Sequence, residues 1–207
     1  MAKPHKVFCV GLGKTGTRTI TKALRMLGYD ILTITKAIDP IIESLAAGDD
    51  GAFIEAMGEA DGANAPRFES HLARIWKAYP TARCIMTTRP RESMISSSLV
   101  HVLWNRECNN GGVWDDIQTK GQRRHYDRHH GVVRKFFADK PGLLLEIDFT
   151  DGDAWPELCS FLETAVPDKR FPHVNRGVDK LLELLHVYNE RKQDTVNDAL
   201  SARSDPI

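Results

Sequence analysis

A strand, a glycine turn and a helix follow one another without interruption between Lys6 and Met26, KVFCVGLGKTGTRTITKALRM. The apolar run Val7 to Val10 is rich in β-branched and aromatic residues and reads as a buried strand. The turn is Gly11-Leu12-Gly13-Lys14-Thr15-Gly16. Beyond it Ile20, Ala23, Leu24 and Leu27 recur at helical spacing, and Gly28 closes the pattern. Such a unit aims unpaired backbone N–H groups and the positive end of a helix dipole at one point, an arrangement that suits an anion. Lys14 adds a full charge there, and Thr15, Thr17 and Thr19 add hydroxyls. The stretch reads as a phosphate cradle.

The rest of the chain alternates strands with helices. Tyr29 to Thr35 reads as a second strand, Arg83 to Thr88 as the clearest buried strand after the first, and Gly142 to Phe149 as a further one. Helical patterns cover Ala37 to Ala47, Phe68 to Tyr79, Arg91 to about Trp104, Asp115 to Phe137, Ala154 to Glu163 and about Asp179 to Ala202. Phe53 to Met57 reads as a helical turn, and Glu59 to Pro66, EADGANAP, as a loop by composition. This order predicts a single-domain, three-layer α/β fold over residues 1–207, P-loop-like, with a mostly parallel sheet flanked by helices. In such sheets ligands sit beyond the carboxyl ends of the strands.

Composition removes several function classes. The 207 residues suffice for one α/β domain with a sizeable core. Lys plus Arg and Asp plus Glu both number 28, so no charge excess argues for nucleic acid. No apolar run reaches the length of a membrane span, and the first strand begins too early to leave room for a secretory signal. Cys9, Cys84, Cys108 and Cys159 lack metal-site spacing and read as reduced thiols. A cytoplasmic location is expected. Leu181, Leu182, Leu185 and Tyr188 on the last helix are expected as core or subunit contacts, which leaves a homodimer open.

The glycine turn admits three readings. GLGKTG satisfies the dinucleotide fingerprint GxGxxG between a strand and a helix, which would make the chain an NAD(P)-dependent oxidoreductase or epimerase. An acidic ribose partner about 20 residues on is poorly supplied, because Asp30 falls before the apolar part of the second strand and Asp39 well past it. Gly11 and Gly16 also have the spacing of a nucleotide-triphosphate loop. Thr17 and Arg18, however, stand where that loop needs its lysine and its magnesium-binding hydroxyl.

The third reading comes from a resemblance. Lys14 before Thr15-Gly16-Thr17 resembles the 5′-phosphosulfate loop of sulfotransferases that use 3′-phosphoadenosine 5′-phosphosulfate (PAPS). The family's second element is a strand ending in arginine, with a serine eight positions later. RCIMTTRPRESMISSS supplies it as Arg89 and Ser97. The runs AYPTARCIMTTRP, WPELCSFL from Trp155 and FPHVN from Phe171 to Asn175 also resemble the compact members of that family. The resemblance implies PAPS as donor, adenosine 3′,5′-bisphosphate as product and no metal. The implied cofactor contacts are Gly13, Lys14, Thr15, Gly16, Thr17, Arg18, Thr19, Arg89 and Ser97. Lys14 would also be catalytic, stabilising charge on the bridging oxygen of an in-line transfer. The acceptor would be a small molecule or a glycan with a hydroxyl or amine to offer.

The chain departs from the family pattern at three places. Pro90-Arg91 follows Arg89 where an acid or asparagine before proline is usual, and Arg18 replaces a second hydroxyl. The family's histidine or aspartate before a proline, its catalytic base, falls at Asn64, which takes no proton. Asp61 is the nearest carboxylate and the base expected here, with His71 and His101 as alternatives. A protein that binds the nucleotide without turning it over is the third class. Acceptor contacts are expected in Asp49 to Pro66 and Arg106 to Gly121. The basic run Arg123 to His130 reads either as the mouth of an anionic site or as a solvated helix face.

Overall fold

Alternating apolar residues in the first strand face opposite sides of a sheet, and both sides are covered. In the computed structural model, which describes residues 3–33, 38–108, 119–149, 152–174 and 177–201, five strands lie in the order β2-β3-β1-β4-β5. These are β1 (Val7–Cys9), β2 (Ile31–Leu32), β3 (Gly62–Asn64), β4 (Arg83–Thr88) and β5 (Leu144–Asp148). All the pairings are parallel. The helices are α1 (Thr17–Met26), α2 (Asp39–Ala47), α3 (Asp50–Met57), α4 (Leu72–Ala78), α5 (Arg91–Cys108), α6 (Thr119–Phe137), α7 (Trp155–Phe161) and α8 (Gly177–Ser201). The predicted α/β, P-loop-like architecture is the observed one.

Phe8 and Val10 point into a core built with Ile41, Leu45, Phe53, Phe68, Ile75, Trp76, Val133 and Phe137. Rings cluster around Phe8, with centroids 5.7 Å from Phe68 and 5.9 Å from Tyr79. Val7 and Cys9 point into the opposite core with Ile20, Leu24, Ile85, Ile147, Trp155, Leu158 and Phe171. Burial pushes the thiols of Cys9 and Cys84 up, so both stay protonated in these cores.

The segment read as a loop at 59–66 contains β3, between β1 and β2. Its three residues carry no strand-forming side chain, so propensity gives no sign of it. Packing does. A Cβ at Gly62 would come within 2.0 Å of the Val7 carbonyl oxygen, so only glycine allows this close pairing. Phe68 to Tyr79 begins as a 3-10 turn over Pro66–Ser70 before α4. The predicted strand from Tyr29 is described as far as Thr33, and its last two residues lie outside the described chain.

On the last helix the first of the two expected roles, a place in the core, is not the observed one. Leu181, Leu182, Leu185 and Tyr188 are solvent-exposed and belong to neither core. α8 instead packs along α5 through polar and aromatic contacts, among them Arg191 with Glu107 and Trp104 with Glu183.

Candidate functional site

The turn after β1 holds its shape by internal bonds. Thr15 Oγ1 donates to the Leu12 carbonyl at 2.6 Å and lies 2.7 Å from Thr87 Oγ1 on β4. Gly16 takes φ 104°, where a Cβ would also strike the Phe149 ring at 2.8 Å. Lys14, a non-glycine residue, sits at φ 72°. A left-handed lysine stores backbone strain of order 1 kcal/mol or more, and strain of that kind gathers at functional sites. It points a cation over the start of α1.

Here the chain encloses a cavity of about 990 Å³ beyond the carboxyl ends of β1, β4 and β5. The glycine turn and α1 line it with Gly13, Lys14, Thr15, Gly16, Thr17, Arg18 and Thr19; Arg89 and Ser97 line it from the end of β4 and from α5. All nine residues singled out for the cofactor therefore share one cavity. Among the described residues, its chain neighbours apart, nothing lies within 4 Å of where a Cβ at Gly13 would be, which leaves open space beside the turn.

The structure separates the serines of α5, which the sequence does not. Ser96 and Ser98 bond back to the carbonyls of Glu92 and Met94, and Ser93 accepts from Arg89 Nε at 2.8 Å. Ser97 lines the cavity. Arg89 is thus braced by Ser93, and its own carbonyl accepts from Tyr126 Oη of α6 at 2.8 Å. Apart from that brace α6 stays out of the cavity. Of its basic run, Arg123 pairs with Glu92, Asp127 pairs with Arg91 of α5, and His129 and His130 are buried.

The threonines divide too. Thr19 Oγ1 accepts from the Val174 N–H at 3.2 Å, tying the FPHVN segment to α1. Phe171 packs on Trp155 and Phe149, with centroids 4.9 and 5.1 Å away. This docking brings His173 and Val174 to the cavity wall, while Asn175 lies outside the described residues.

The base expected at Asp61 is not in this site. Asp61 precedes β3, at the amino ends of the strands, where its carboxylate accepts from the Asp30 N–H at 2.8 Å. The cavity is at the other end of the sheet. Asn64 stands at the correct end but is occupied structurally: its Nδ2 donates to the Thr17 carbonyl at 2.8 Å and to Thr21 Oγ1 at 2.7 Å, bracing α1. His71 sits at the start of α4, off the cavity lining. His101 is the alternative that the fold brings into the cavity, one turn beyond Ser97 on α5.

Trp104, Asp148, Phe149, Asp179, Lys180 and Glu183 line the cavity and escaped the sequence reading of the site. Asn105 joins them, next to the segment expected to meet the acceptor, of which residues 109–118 lie outside the description. None of Asp49 to Pro66 reaches the cavity. Lys180 Nζ lies 3.7 Å from the centroid of Trp104 and 2.7 Å from His101 Nδ1.

Four cations, Lys14, Arg18, Arg89 and Lys180, therefore face one space, and the titrations register it. Burial, followed by the fields of Lys180, Arg18 and Arg89, lowers Lys14 to about 8. Burial, followed by Lys14, Lys180 and Arg18, lowers His101 to about 4. A cation cluster that disfavours its own charge is a site prepared for a polyanion.

Fold and site together define a P-loop-like α/β protein with a cation-lined cavity beyond its sheet. The profile of the sulfotransferase domain family matches residues 6–110 and 97–179, and the chain belongs to that family. It is also 26% identical over 212 residues to "Ava biosynthesis cluster protein M" of Aspergillus versicolor, with 82% of this chain and 80% of that protein covered. Sulfotransferase chemistry is the activity this membership supports. Among the described residues no helix is long and apolar enough to cross a membrane, and no three His, Cys, Asp or Glu side chains group as a metal site.

Proposed function

We propose that this protein transfers the sulfuryl group of PAPS to a hydroxyl or amine of a small-molecule or glycan acceptor. The observation that carries this reading is the cationic lining, with Lys14 and Arg18 at the glycine turn, Arg89 beside Ser97 beyond β4, and Lys180 on α8. PAPS is anionic at both ends, and its 3′-phosphate distinguishes it from ATP and NAD. A guanidinium and a hydroxyl set apart from the glycine turn are what that phosphate requires. The relative's name places it in a biosynthesis cluster, in keeping with a small-molecule acceptor.

In this reading the N–H groups at the start of α1 and the Thr17 hydroxyl hold the 5′-phosphate. Lys14 lies against the oxygen that bridges phosphorus and sulfur. The acceptor's oxygen or nitrogen forms a bond to sulfur in line with that oxygen, and the S–O bond breaks with its electron pair going to the 5′-phosphate. Lys14 stabilises the charge that collects there, at a site where water is partly excluded. Arg89 and Ser97 fix the other end of the donor, so attack begins from an aligned geometry. The acceptor's proton passes to His101, a histidine of the same cavity whose ring lies within the field of Lys14.

Calorimetric titration with adenosine 3′,5′-bisphosphate, adenosine 5′-monophosphate and NAD tests this, followed by transfer of labelled sulfate from PAPS to panels of hydroxyl and amine acceptors. The bisphosphate should bind best. Arg89→Ala should weaken it by about tenfold to a hundredfold, the worth of a charged hydrogen bond, and leave the monophosphate unchanged. Binding of NAD with indifference to the bisphosphate would instead select the dinucleotide reading.

A further inference from the structure

The contacts of His101 determine where its proton sits. Lys180 Nζ is 2.7 Å from Nδ1, and an ammonium offers three donors and no acceptor. Nδ1 is therefore the accepting nitrogen, and a neutral His101 carries its proton on Nε2. Asn105 lies 3.5 Å from that Nε2, and its amide oxygen can face the N–H once the amide is turned over. The ring is stacked on Trp104, with centroids 6.1 Å apart and planes at 16°. Held this way, His101 has no free lone pair. It donates at one nitrogen and is blocked at the other.

The charges facing the ring come from every wall. Lys14 and Arg18 act across the cavity and Lys180 at contact distance, with Arg89 on the same lining. Asp179 and Glu183 of α8 are the carboxylates nearest in chain to Lys180, and Glu183 is taken up by the Trp104 indole N–H.

We propose that Lys180 is a positioning residue: it keeps His101 from accepting a proton until an anionic donor occupies the cavity, and then moves to the anion and frees Nδ1. This inference rests on the sulfotransferase reading. A phosphate or sulfate oxygen competes better than a neutral imidazole for an ammonium, because both partners are then charged. The same anion cancels the field that Lys14, Arg18 and Lys180 exert on the ring. Two effects thus act together: a lone pair becomes accessible, and the imidazolium becomes tolerable. Once Nδ1 is free, the acceptor's proton goes to it as the acceptor–sulfur bond forms and the S–O bond to the 5′-phosphate breaks. His101 becomes an imidazolium, and the departing bisphosphate holds the electron pair. α8 thereby links donor occupancy to base activity.

Nuclear magnetic resonance of the full chain carrying 15N-histidine, with His101 assigned through His101→Gln, tests the pair directly. In the free protein His101 should be the Nε2–H tautomer. Adding adenosine 3′,5′-bisphosphate should raise its proton affinity by about tenfold or more, since neighbouring charge of this kind shifts titration by a unit or more. Lys180→Met should abolish the tautomer preference and raise the affinity without ligand, leaving the bisphosphate only the smaller increment that comes from Lys14 and Arg18. Lys180→Gln, a milder neutral change, should act in the same direction if the methionine disturbs α8. The acidic limb of the rate–pH profile should move with each variant. An Nδ1–H tautomer in the free protein, or a Lys180 variant with unchanged tautomer and titration, would overturn the proposal. Backbone amides of residues 13–17 report donor binding separately. Without a response there, the donor reading and the gating both fall, while the ligand-free comparison still decides the Lys180–His101 pair.

Discussion

Replacing Lys14 with methionine should stabilise the free protein and abolish its response to the donor product. The side chain keeps its aliphatic stem, and both residues bear the same strain at φ 72°, so the backbone contribution cancels. What remains is charge. Lys14 titrates at about 8 when folded, against 10.5 ordinarily, chiefly through burial and then through Lys180, Arg18 and Arg89. A lysine whose folded pKa lies below its unfolded value holds its proton less readily when folded. Its charged form therefore costs stability at every pH below about 8, and the cost fades as pH rises from about 8 towards 10.5. The ceiling is about 3 kcal/mol from the size of the shift. Lys14 is only half-buried, and solvent screening brings the expectation to about 1 kcal/mol, or about 2–4 °C in Tm for a domain of this size. Urea denaturation of both proteins at neutral pH and at several points up to pH 10 measures it. Lys14→Met should be the more stable at neutral pH, and its advantage should vanish by the alkaline end. With bisphosphate at a hundred times its Kd, the parent should gain roughly 2.7 kcal/mol and the variant almost nothing. A variant less stable than its parent at neutral pH, or an advantage independent of pH, would refute the account of Lys14 as an uncompensated cation.

Gly62→Ala should cost about 3 kcal/mol or more, because its Cβ would lie 2.0 Å from the Val7 carbonyl in the centre of the sheet; a parental urea midpoint would show that β3 does not pair closely with β1. Asn64→Asp restores a carboxylate at the position where the family carries its base, yet it should destabilise by about 3 kcal/mol and not raise turnover. The change removes the only donor that reaches the Thr17 carbonyl from Asn64 and buries a charge in its place. An unchanged midpoint with faster transfer would return the base to position 64.

The glycine-turn side of the candidate site was legible because it is local. A glycine turn between strand and helix fixes where N–H groups, Lys14 and the threonines point, whatever surrounds them. Arg89 and Ser97 were named only through the family resemblance; strand end and helix put four serines, Ser93, Ser96, Ser97 and Ser98, near that position, and their spacing does not choose among them. β3 was not legible, because Gly62-Ala63-Asn64 has no propensity to read, and it is a strand only where β1 and β2 flank it. The histidine proposed as proton acceptor was not singled out by the sequence either. Proximity in sequence favoured Asp61, but three residues of strand run between it and the cavity end of the sheet. His101 and Lys180 meet although 79 positions separate them, through the packing of α8 on α5. The sequence alone determined an α/β fold with a strand–glycine turn–helix unit, since backbone geometry within one segment is enough for that. Only the tertiary structure decided which cations share a cavity, which serine lines it, and which histidines stand on the same lining as Lys14, because each depends on elements that pack together from distant parts of the chain.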